Sequence, residues 1–396
     1  MKYCPRVLDL TRLLKQKSLF LFGPRSTGKT TLIMKQLPGA HVYDLLDARI
    51  FSRLVKNPSL LEEENKAGSE VIVIDEIQKF PSLLDEVHRL IGKYSWTFLL
   101  TGSSARKLKR GAANLLAGRA WKTELFPLVS SEIPEFDLLT YLNRGGLPPV
   151  YTSANASEEL ENYISLYLKE EIQSESLTRN LPAFSEFLDA IALSNGEEIN
   201  FESFGNDCGV SPGTAKNYVR ILEDTLIGFS LKGYTKTKKR KATSRIKHYF
   251  FDVGVVNSLC RRGEIQFKSE LFGKAFEQFI IQELRAYLSY RRLKRELMYW
   301  RSVSQFEVDL LVGRDMAIEI KGTSQVSDKH LKGLRALKEE GQIQSFVVVS
   351  LDEEMRQTTD GIRIYPWREF LKQLWNDRLF QQTVPFKNLP QRKGAR

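Results

Sequence analysis

Cysteine is scarce in this chain and long apolar runs are missing. Of 396 residues, three are cysteine (Cys4, Cys208 and Cys260). The number is odd and no CxxC spacing occurs, so neither a disulfide framework nor a zinc site is indicated. The four histidines, His41, His88, His248 and His330, form no HExxH and no paired spacing, which leaves histidine-based metal chemistry without support. No apolar run approaches the ~20 residues that span a bilayer, so no membrane partner is expected. Residues 1–17 mix charged and apolar side chains and offer no small-residue cleavage site, which argues against a secretory leader. No internal repeat is visible. These absences together point to a protein of the reducing cytoplasm.

What is present is ordinary for a globular protein: 42% hydrophobic and 27% charged residues. At ~100–200 residues per domain the length predicts two or three domains. The net charge of +11 and the pI of about 9.3 suggest a polyanionic partner. The distribution of that charge says more than its total. Between positions 232 and 247 stand Lys232, Lys236, Lys238, Lys239, Arg240, Lys241, Arg245 and Lys247, without one acid. The acidic run at 61–65 reads as a solvated helix end.

Strand and helix signals alternate in the first part. Strands are expected at 18–22, 41–46, 71–74 and 97–101, and helices at 30–37, 50–61 and 83–91. The continuous β-branched run Val71-Ile72-Val73-Ile74 suits a strand buried on both faces. This is the pattern of an α/β layered domain with a parallel sheet, closing near Val129. Residues 132–149 read as a connector, because Gly145-Gly146 and Pro148-Pro149 interrupt regular structure. Helical patterns resume over 158–194, with a break near 180–182, and a small helical domain with a β-ribbon follows to about Asp252. From Leu271 onward the order is helix, strand, strand, helix, strand. The expected domains are therefore 1–130, 131–195, 196–256 and 265–378. The polar, basic tail 385–396 is expected to be disordered.

The run Gly23-Pro24-Arg25-Ser26-Thr27-Gly28-Lys29-Thr30 fits GxxxxGK[ST] between a predicted strand and a predicted helix. Such a loop turns backbone N–H groups toward phosphate oxygens, and the following helix adds its positive N-terminus. Together with Thr31 these residues form the expected ATP-binding segment. Lys29 would reach the β- and γ-phosphates and Thr30 would ligate Mg²⁺. Asp75 and Glu76 follow the 71–74 strand, at the carboxyl end where open α/β sheets bind ligands. Asp75 is expected in the Mg²⁺ shell, and Glu76 is expected to orient and polarise the attacking water.

Leu99-Leu100-Thr101-Gly102-Ser103-Ser104-Ala105-Arg106, Leu116-Ala117-Gly118-Arg119 and Leu125-Phe126-Pro127-Leu128 resemble prokaryotic AAA-type ATPases of the archaeal-ATPase kind. The likeness extends through Gly145-Gly146-Leu147-Pro148 and the C-terminal half. It implies that Thr101 or Ser103 senses the γ-phosphate. It also implies that an arginine reaches the nucleotide of a neighbouring subunit. Arg119 is the candidate, which would make the protein a homo-oligomer; the alternative is an arginine that pairs locally.

Residues 201–228 read as helix-turn-helix. Ser211 is the N-cap of the second helix and Pro212 its first residue. Ala215, Val219 and Leu222 share an apolar face, while Thr214, Lys216, Asn217 and Arg220 project elsewhere, as groups suited to a DNA groove. The basic stretch then precedes an apolar strand, as in the wing of a winged helix. Lys238, Lys239, Arg240 and Lys241 are the expected phosphate contacts. A winged helix used for protein packing alone is the alternative. The resembling family carries a winged helix at this place.

Two further strands, 306–312 and 316–321, flank the turn Gly313-Arg314-Asp315. If Val312 pairs with Met316, Asp309 faces Glu319 and Glu307 faces Lys321, all on one face. Facing carboxylates repel. A divalent cation with oxygen ligands, Mg²⁺ or Mn²⁺, would remove that penalty, with Lys321 beside it and Glu277 available from the preceding helix. Asp309, Glu319, Lys321 and Glu277 resemble the PD-(D/E)xK nuclease superfamily, which includes restriction endonucleases and archaeal Holliday-junction resolvases. Val308 stands where the name has proline. The resemblance implies metal-dependent DNA cleavage; a retained fold without chemistry is the alternative.

The expected fold is therefore α/β: an N-terminal P-loop AAA-type ATPase domain with a parallel sheet, a central winged helix-turn-helix, and a C-terminal restriction-endonuclease-like domain. The expected function is ATP-dependent DNA processing on duplex or branched DNA. The alternative is a nucleotide-switched regulator whose C-terminal domain binds DNA or protein without cutting.

Overall fold

The computed structural model describes residues 3–65, 71–104, 116, 118–168 and 180–380. The chain forms two compact units. The first comprises Met1–Ser230, Lys247–Phe267 and Leu288–Leu293, and the second Leu231–Ile246, Lys268–Tyr287 and Lys294–Arg396.

The first unit is built on strands β1 (Ser18–Phe22), β2 (His41–Asp44), β3 (Ile72–Asp75), β4 (Phe98–Gly102) and β5 (Ala120–Glu124). They form a parallel sheet in the order β2-β3-β4-β1-β5. β1, β3 and β4 are buried along their whole length, which is why they read as unbroken apolar runs. Helices α1 (Leu10–Leu14), α2 (Lys29–Gln36), α3 (Ala48–Lys56), α4 (Leu60–Asn65) and α5 (Leu83–Tyr94) complete this part. The amphipathic α5 buries Leu84, Val87 and Leu90 with Phe20, Phe22, Ile72, Ile74, Phe98 and Leu100.

Several local expectations are revised. The helix expected over 50–61 is two helices, because Asn57 and Pro58 interrupt it: the residue before a proline is pushed out of the α region. The edge strand β5 carries Lys122 and Glu124 and so lacks the apolar signature of its neighbours. The supposed connector contains helix Leu138–Arg144 and the helical turn Pro148–Tyr151. Pro148 and Pro149 open that turn, at positions whose N–H groups would lack helical partners anyway. The break at 180–182 is a helix start, with Asn180 capping Leu181–Leu193 through the Ala183 N–H. Helices Phe201–Asp207, Pro212–Asp224 and Val253–Leu259 follow. A hairpin of β6 (Gly228–Gly233) and β7 (Ile246–Phe250) lies between the last two. Phe229 and Tyr249 stack at its base at 5.4 Å.

The second unit adds β8 (Leu297–Arg301), β9 (Glu307–Val312), β10 (Met316–Lys321), β11 (Ser345–Ser350), β12 (Arg356–Gln357) and β13 (Arg363–Pro366). Its strand order is β12-β13-β11-β10-β9-β8-β6. β8, β9 and β10 are antiparallel, whereas β10, β11 and β13 run parallel. Helices Lys332–Lys338 and Trp367–Trp375, and helix Glu270–Tyr290 as far as Tyr287, belong here. One core joins Trp300, Val308, Leu311, Ala317, Leu334, Leu337, Val348 and Ile364. The expected order from Leu271 omitted β8, β12, β13 and the final helix. Helix Trp367–Trp375 buries Trp367, Phe370, Leu371 and Leu374 along one face.

Candidate functional site

The P-loop joins β1 to α2, at the carboxyl end of a central parallel strand. Gly23 is demanded by close approach: a Cβ there would lie 2.6 Å from the carbonyl oxygen of Leu125, a fixed backbone atom. Gly28 has φ +91°, a left-handed conformation that only glycine takes at little cost, and it is the N-cap of α2. The buried Thr27 donates to the Pro24 carbonyl at 2.8 Å. Lys29 folds back into its own loop and donates to the carbonyls of Gly23 at 2.7 Å and Pro24 at 3.1 Å. Arg25 and Ser26 are half-buried, and Thr30 and Thr31 are exposed at the start of α2.

β3 delivers Asp75 to this loop. The Thr30 hydroxyl donates to Asp75 Oδ2 at 3.3 Å, and the Thr101 hydroxyl, from the end of β4, donates to Asp75 Oδ1. Glu76 sits in the left-handed region at φ 58°, and its N–H donates to Thr101 Oγ1 at 3.2 Å. Gln78 donates to the Glu76 carboxylate and, at 3.2 Å, to Ser103 Oγ. Thr101 thus touches Asp75 and the Glu76 backbone, whereas Ser103 reaches the Glu76 carboxylate through Gln78. Arg119 lies outside this group. It is exposed and donates to the His88 carbonyl at 3.1 Å. Residues 105, 106 and 117 of the motif runs fall outside the described residues.

Arg6, Glu132 and Gln78 were not singled out in the sequence. The Arg6 guanidinium, 3% exposed, donates to the Thr27 carbonyl at 2.7 Å, to Phe126 O at 2.5 Å and to Glu132 at 2.8 Å. It holds the P-loop from behind. Burial opposes its charge, but Tyr290 and Glu132 outweigh that and raise its pKa. Burial in turn raises the pKa of Glu132, although Arg6 and two N–H donors favour its charge. A single arginine near the N-terminus gives no local pattern by which this could be read.

In helix Pro212–Asp224, Ser211 caps the Thr214 N–H at 3.1 Å. Ala215, Tyr218, Val219, Ile221 and Leu222 are buried. Lys216, Asn217 and Arg220 are exposed, and Thr214 is half-buried. The basic stretch is organised by a buried acid. Glu340 accepts the N–H groups of Lys238 at 2.6 Å, Lys239 at 2.8 Å and Arg240 at 3.1 Å. Burial alone would raise the Glu340 pKa, but these bonds outweigh it and lower it. Lys236, Lys238, Lys239 and Lys241 are exposed, whereas Arg240 is half-buried and bonds Glu339 at 2.7 Å. Lys247 is buried.

In the second unit Met316 pairs with Val312, as the hairpin expectation required. The ladder runs to Ile318 and Leu310. There the Asp309 carboxylate accepts the Ile320 N–H at 2.7 Å, and β10 continues beside β11. Glu307 therefore does not face Lys321; it lies opposite Arg301 of β8, at 3.7 Å. Asp309 and Glu319 are both buried, and Lys321 Nζ lies 3.4 Å from the first and 2.7 Å from the second. Burial, then Asp309, push the Glu319 pKa well above the usual carboxylate range. Burial opposes the charge of Lys321, but the two carboxylates raise its pKa nonetheless. Glu319 Oε2 is buried without a hydrogen-bond partner. Glu277 is close enough to act electrostatically on Glu319 and Lys321. Among the described residues, however, no three His, Cys, Asp or Glu side chains are arranged to hold a metal ion. The expected set Glu277, Asp309 and Glu319 is therefore not assembled as one ligand cluster. Lys321 instead neutralises the facing carboxylates.

The parallel sheet thus carries the Gly23–Thr30 loop at the carboxyl end of β1 and the Asp75-Glu76 pair at that of β3, with β4 between them. Residues 15–134 match the family model described as AAA domain, and this part of the chain is an AAA-type ATPase domain. Residues 135–266 and 272–370 match two models, each described as a domain of unknown function, DUF8612 and DUF4143. The chain is similar to uncharacterized protein MJ1544 of Methanocaldococcus jannaschii, with 24% identity over 76% of this chain and 73% of that one. It is similar to uncharacterized protein MJ1637 of the same organism, with 26% identity over 67% of each chain. Solved structures with some likeness include the Aeropyrum pernix ORC1 protein in complex with DNA, at 11% identity and TM-score 0.28, covering 64% of this chain and 91% of that chain. Another is the replication initiator DnaA bound to AMPPCP and single-stranded DNA, at 11% identity and TM-score 0.30, covering 56% and 90%. No helix among the described residues is long and apolar enough to cross a membrane.

Proposed function

We propose that the protein hydrolyses ATP at this P-loop and engages DNA through helix Pro212–Asp224 and the basic loop before β7. The hydrogen-bonded string Thr30–Asp75–Thr101 at the strand ends carries the ATP reading. It sets a hydroxyl and a carboxylate, oxygen donors suited to Mg²⁺, beside a loop whose lysine is enclosed by its own carbonyls. Thr30 and Asp75 would hold Mg²⁺, which supplies charge neutralisation on the phosphates. Lys29 would leave the Gly23 and Pro24 carbonyls for phosphate oxygens, and the backbone from Gly23 to Thr31 would wrap them. Glu76, oriented by Gln78, would take a proton from the attacking water, and Thr101 at the end of β4 or Ser103 just beyond it would sense the γ-phosphate. The test compares two variants by nucleotide titration and turnover. Lys29→Ala is expected to lose binding. Glu76→Gln is expected to bind as wild type and hydrolyse at least a hundredfold more slowly, in keeping with the worth of a general base. Unchanged turnover in Glu76→Gln sinks the assignment.

The domain division that goes with this reading is an ATPase at 1–130, a connector at 131–195, a winged helix-turn-helix at 196–256 and a nuclease-like domain at 265–378. One observation favours a second activity, metal-dependent cleavage of DNA in the last of these: the buried, unpartnered Glu319 Oε2 beside Asp309. A divalent cation held by Asp309 and Glu319 would supply Lewis-acid chemistry. Lys321 would then be released toward a phosphate oxygen. If Lys321 keeps both carboxylates instead, the unit binds DNA or protein without cutting and the ATPase acts as a switch.

A further inference from the structure

The first unit contains a cavity of about 620 Å³ between segments 143–161 and 257–264 that the ATP reading does not use. No P-loop residue lines it. Three arginines do: Arg144, Arg261 and Arg262. Arg144 Nη1 donates to the carbonyls of Ser153 at 3.1 Å and Tyr151 at 3.5 Å. Arg262 Nη1 reaches the Asn257 side chain at 3.4 Å. Among the described residues, the Arg261 side chain makes no hydrogen bond or ion pair, and none of the three arginines has a carboxylate partner. Glu161 and Glu264 line the same cavity, also without an ion pair to these arginines. Opposite charges thus share one cavity without meeting.

The helix end that carries Arg261 is built as a left-handed cap. Helix Val253–Leu259 ends in a Schellman motif: the Arg262 N–H donates to the Asn257 carbonyl at 2.8 Å and the Arg261 N–H to that of Ser258 at 3.0 Å. This motif places Arg261 in the left-handed region, at φ 49°. Glycine is the usual residue there, and a bulky side chain destabilises the turn. The side chain kept at that cost reaches into the cavity beside two more guanidiniums. Taken with the cavity it lines, this placement points to a side chain available to a ligand.

We propose that the cavity is a second anion site, taking a phosphorylated ligand. Its phosphate would sit among the guanidiniums of Arg144, Arg261 and Arg262, whose forked N–H groups match phosphate oxygens. Its hydroxyl or amino donors would face Glu161 and Glu264. The volume suits a ligand of nucleotide size. The phosphate can come from a free small molecule or from a nucleic-acid end.

The test titrates the full chain calorimetrically with inorganic pyrophosphate, AMP and a 5′-phosphorylated oligonucleotide. Wild type, Lys29→Ala, Arg261→Gly and the double variant Arg261→Gly/Arg262→Gln are compared. Binding of at least one probe is expected to survive Lys29→Ala and to weaken about tenfold or more in Arg261→Gly, as for a lost charge-assisted bond. The melting temperature of Arg261→Gly without probe should equal or exceed that of wild type, because glycine relieves the left-handed turn. Binding of AMP alone assigns the phosphate to a small molecule, and binding of the oligonucleotide alone assigns it to a nucleic-acid end; either supports the site. Three outcomes overturn it: no probe binds wild type at millimolar concentration; binding is lost in Lys29→Ala but kept in both arginine variants; or Arg261→Gly melts lower without probe, which would make the side chain structural.

Discussion

At Lys321 one ammonium serves two buried carboxylates. Breaking a buried pair by removing one partner strands the other charge, and Lys321→Met strands two. The loss should be on the order of 3 kcal/mol at neutral pH, after allowing for the partial exposure of Lys321. The sign of the pH dependence follows from Glu319, whose folded pKa lies above the ordinary value of 4.5. A carboxyl raised in the folded state contributes fully below the unfolded pKa and loses that contribution as pH rises toward the folded one. Urea unfolding should therefore show Lys321→Met recovering stability relative to wild type as pH falls from 7 toward 4.5. Mn²⁺ should raise the melting temperature of Lys321→Met more than that of wild type, by replacing the missing cation. A variant indifferent to Mn²⁺ would rule out the metal reading of Asp309 and Glu319.

The element that presents positive charge is the loop between β6 and β7. Glu340 fixes its backbone through three N–H groups, so the lysine side chains are turned outward while Arg240 is tied to Glu339. The loop's cations are thus not equivalent. If Lys238, Lys239 and Lys241 each neutralise one phosphate, replacing all three by Gln should make the slope of log K against log[salt] shallower by about 2.7. Arg240→Gln should leave that slope nearly unchanged and lower the stability of the second unit instead. Filter binding or fluorescence anisotropy across a salt series distinguishes the two. Equal slopes in wild type and the triple variant would exclude the loop as a DNA contact.

At the scale of the whole molecule the open question is whether one chain makes a complete ATP site. Arg119 rests on the His88 carbonyl, away from its own P-loop. If it serves a neighbouring copy, Arg119→Ala alone should bind nucleotide normally and hydrolyse it poorly. Mixing Arg119→Ala with Lys29→Ala should then restore part of the turnover, because one mixed interface joins an intact P-loop to an intact arginine. Mixtures no more active than the sum of their components would confine Arg119 to a structural role.

Much of the proposed nucleotide site was legible because its parts are local. A P-loop is a run of consecutive residues, and Asp75-Glu76 ends a strand whose apolar run announces it. The Val312–Met316 register was legible for the same reason, since a short turn and a period of two determine it. Contacts between distant residues were not. Arg6 reaches Thr27 and Glu132 across 21 and 126 positions, and Glu340 holds Lys238 across 102. No spacing rule connects such pairs; the packing of elements brings them together. Glu307 is the clearest divergence. By period it belongs opposite Lys321, but the β9–β10 ladder stops at Leu310–Ile318, where the Asp309 carboxylate takes the Ile320 N–H, and Glu307 lies opposite Arg301 on the other edge of β9. The sequence alone determined which residues are chemically able to act and which neighbours share a turn or a face. Tertiary structure decided which charges meet, because strand pairing and burial select among partners that the sequence leaves equally available.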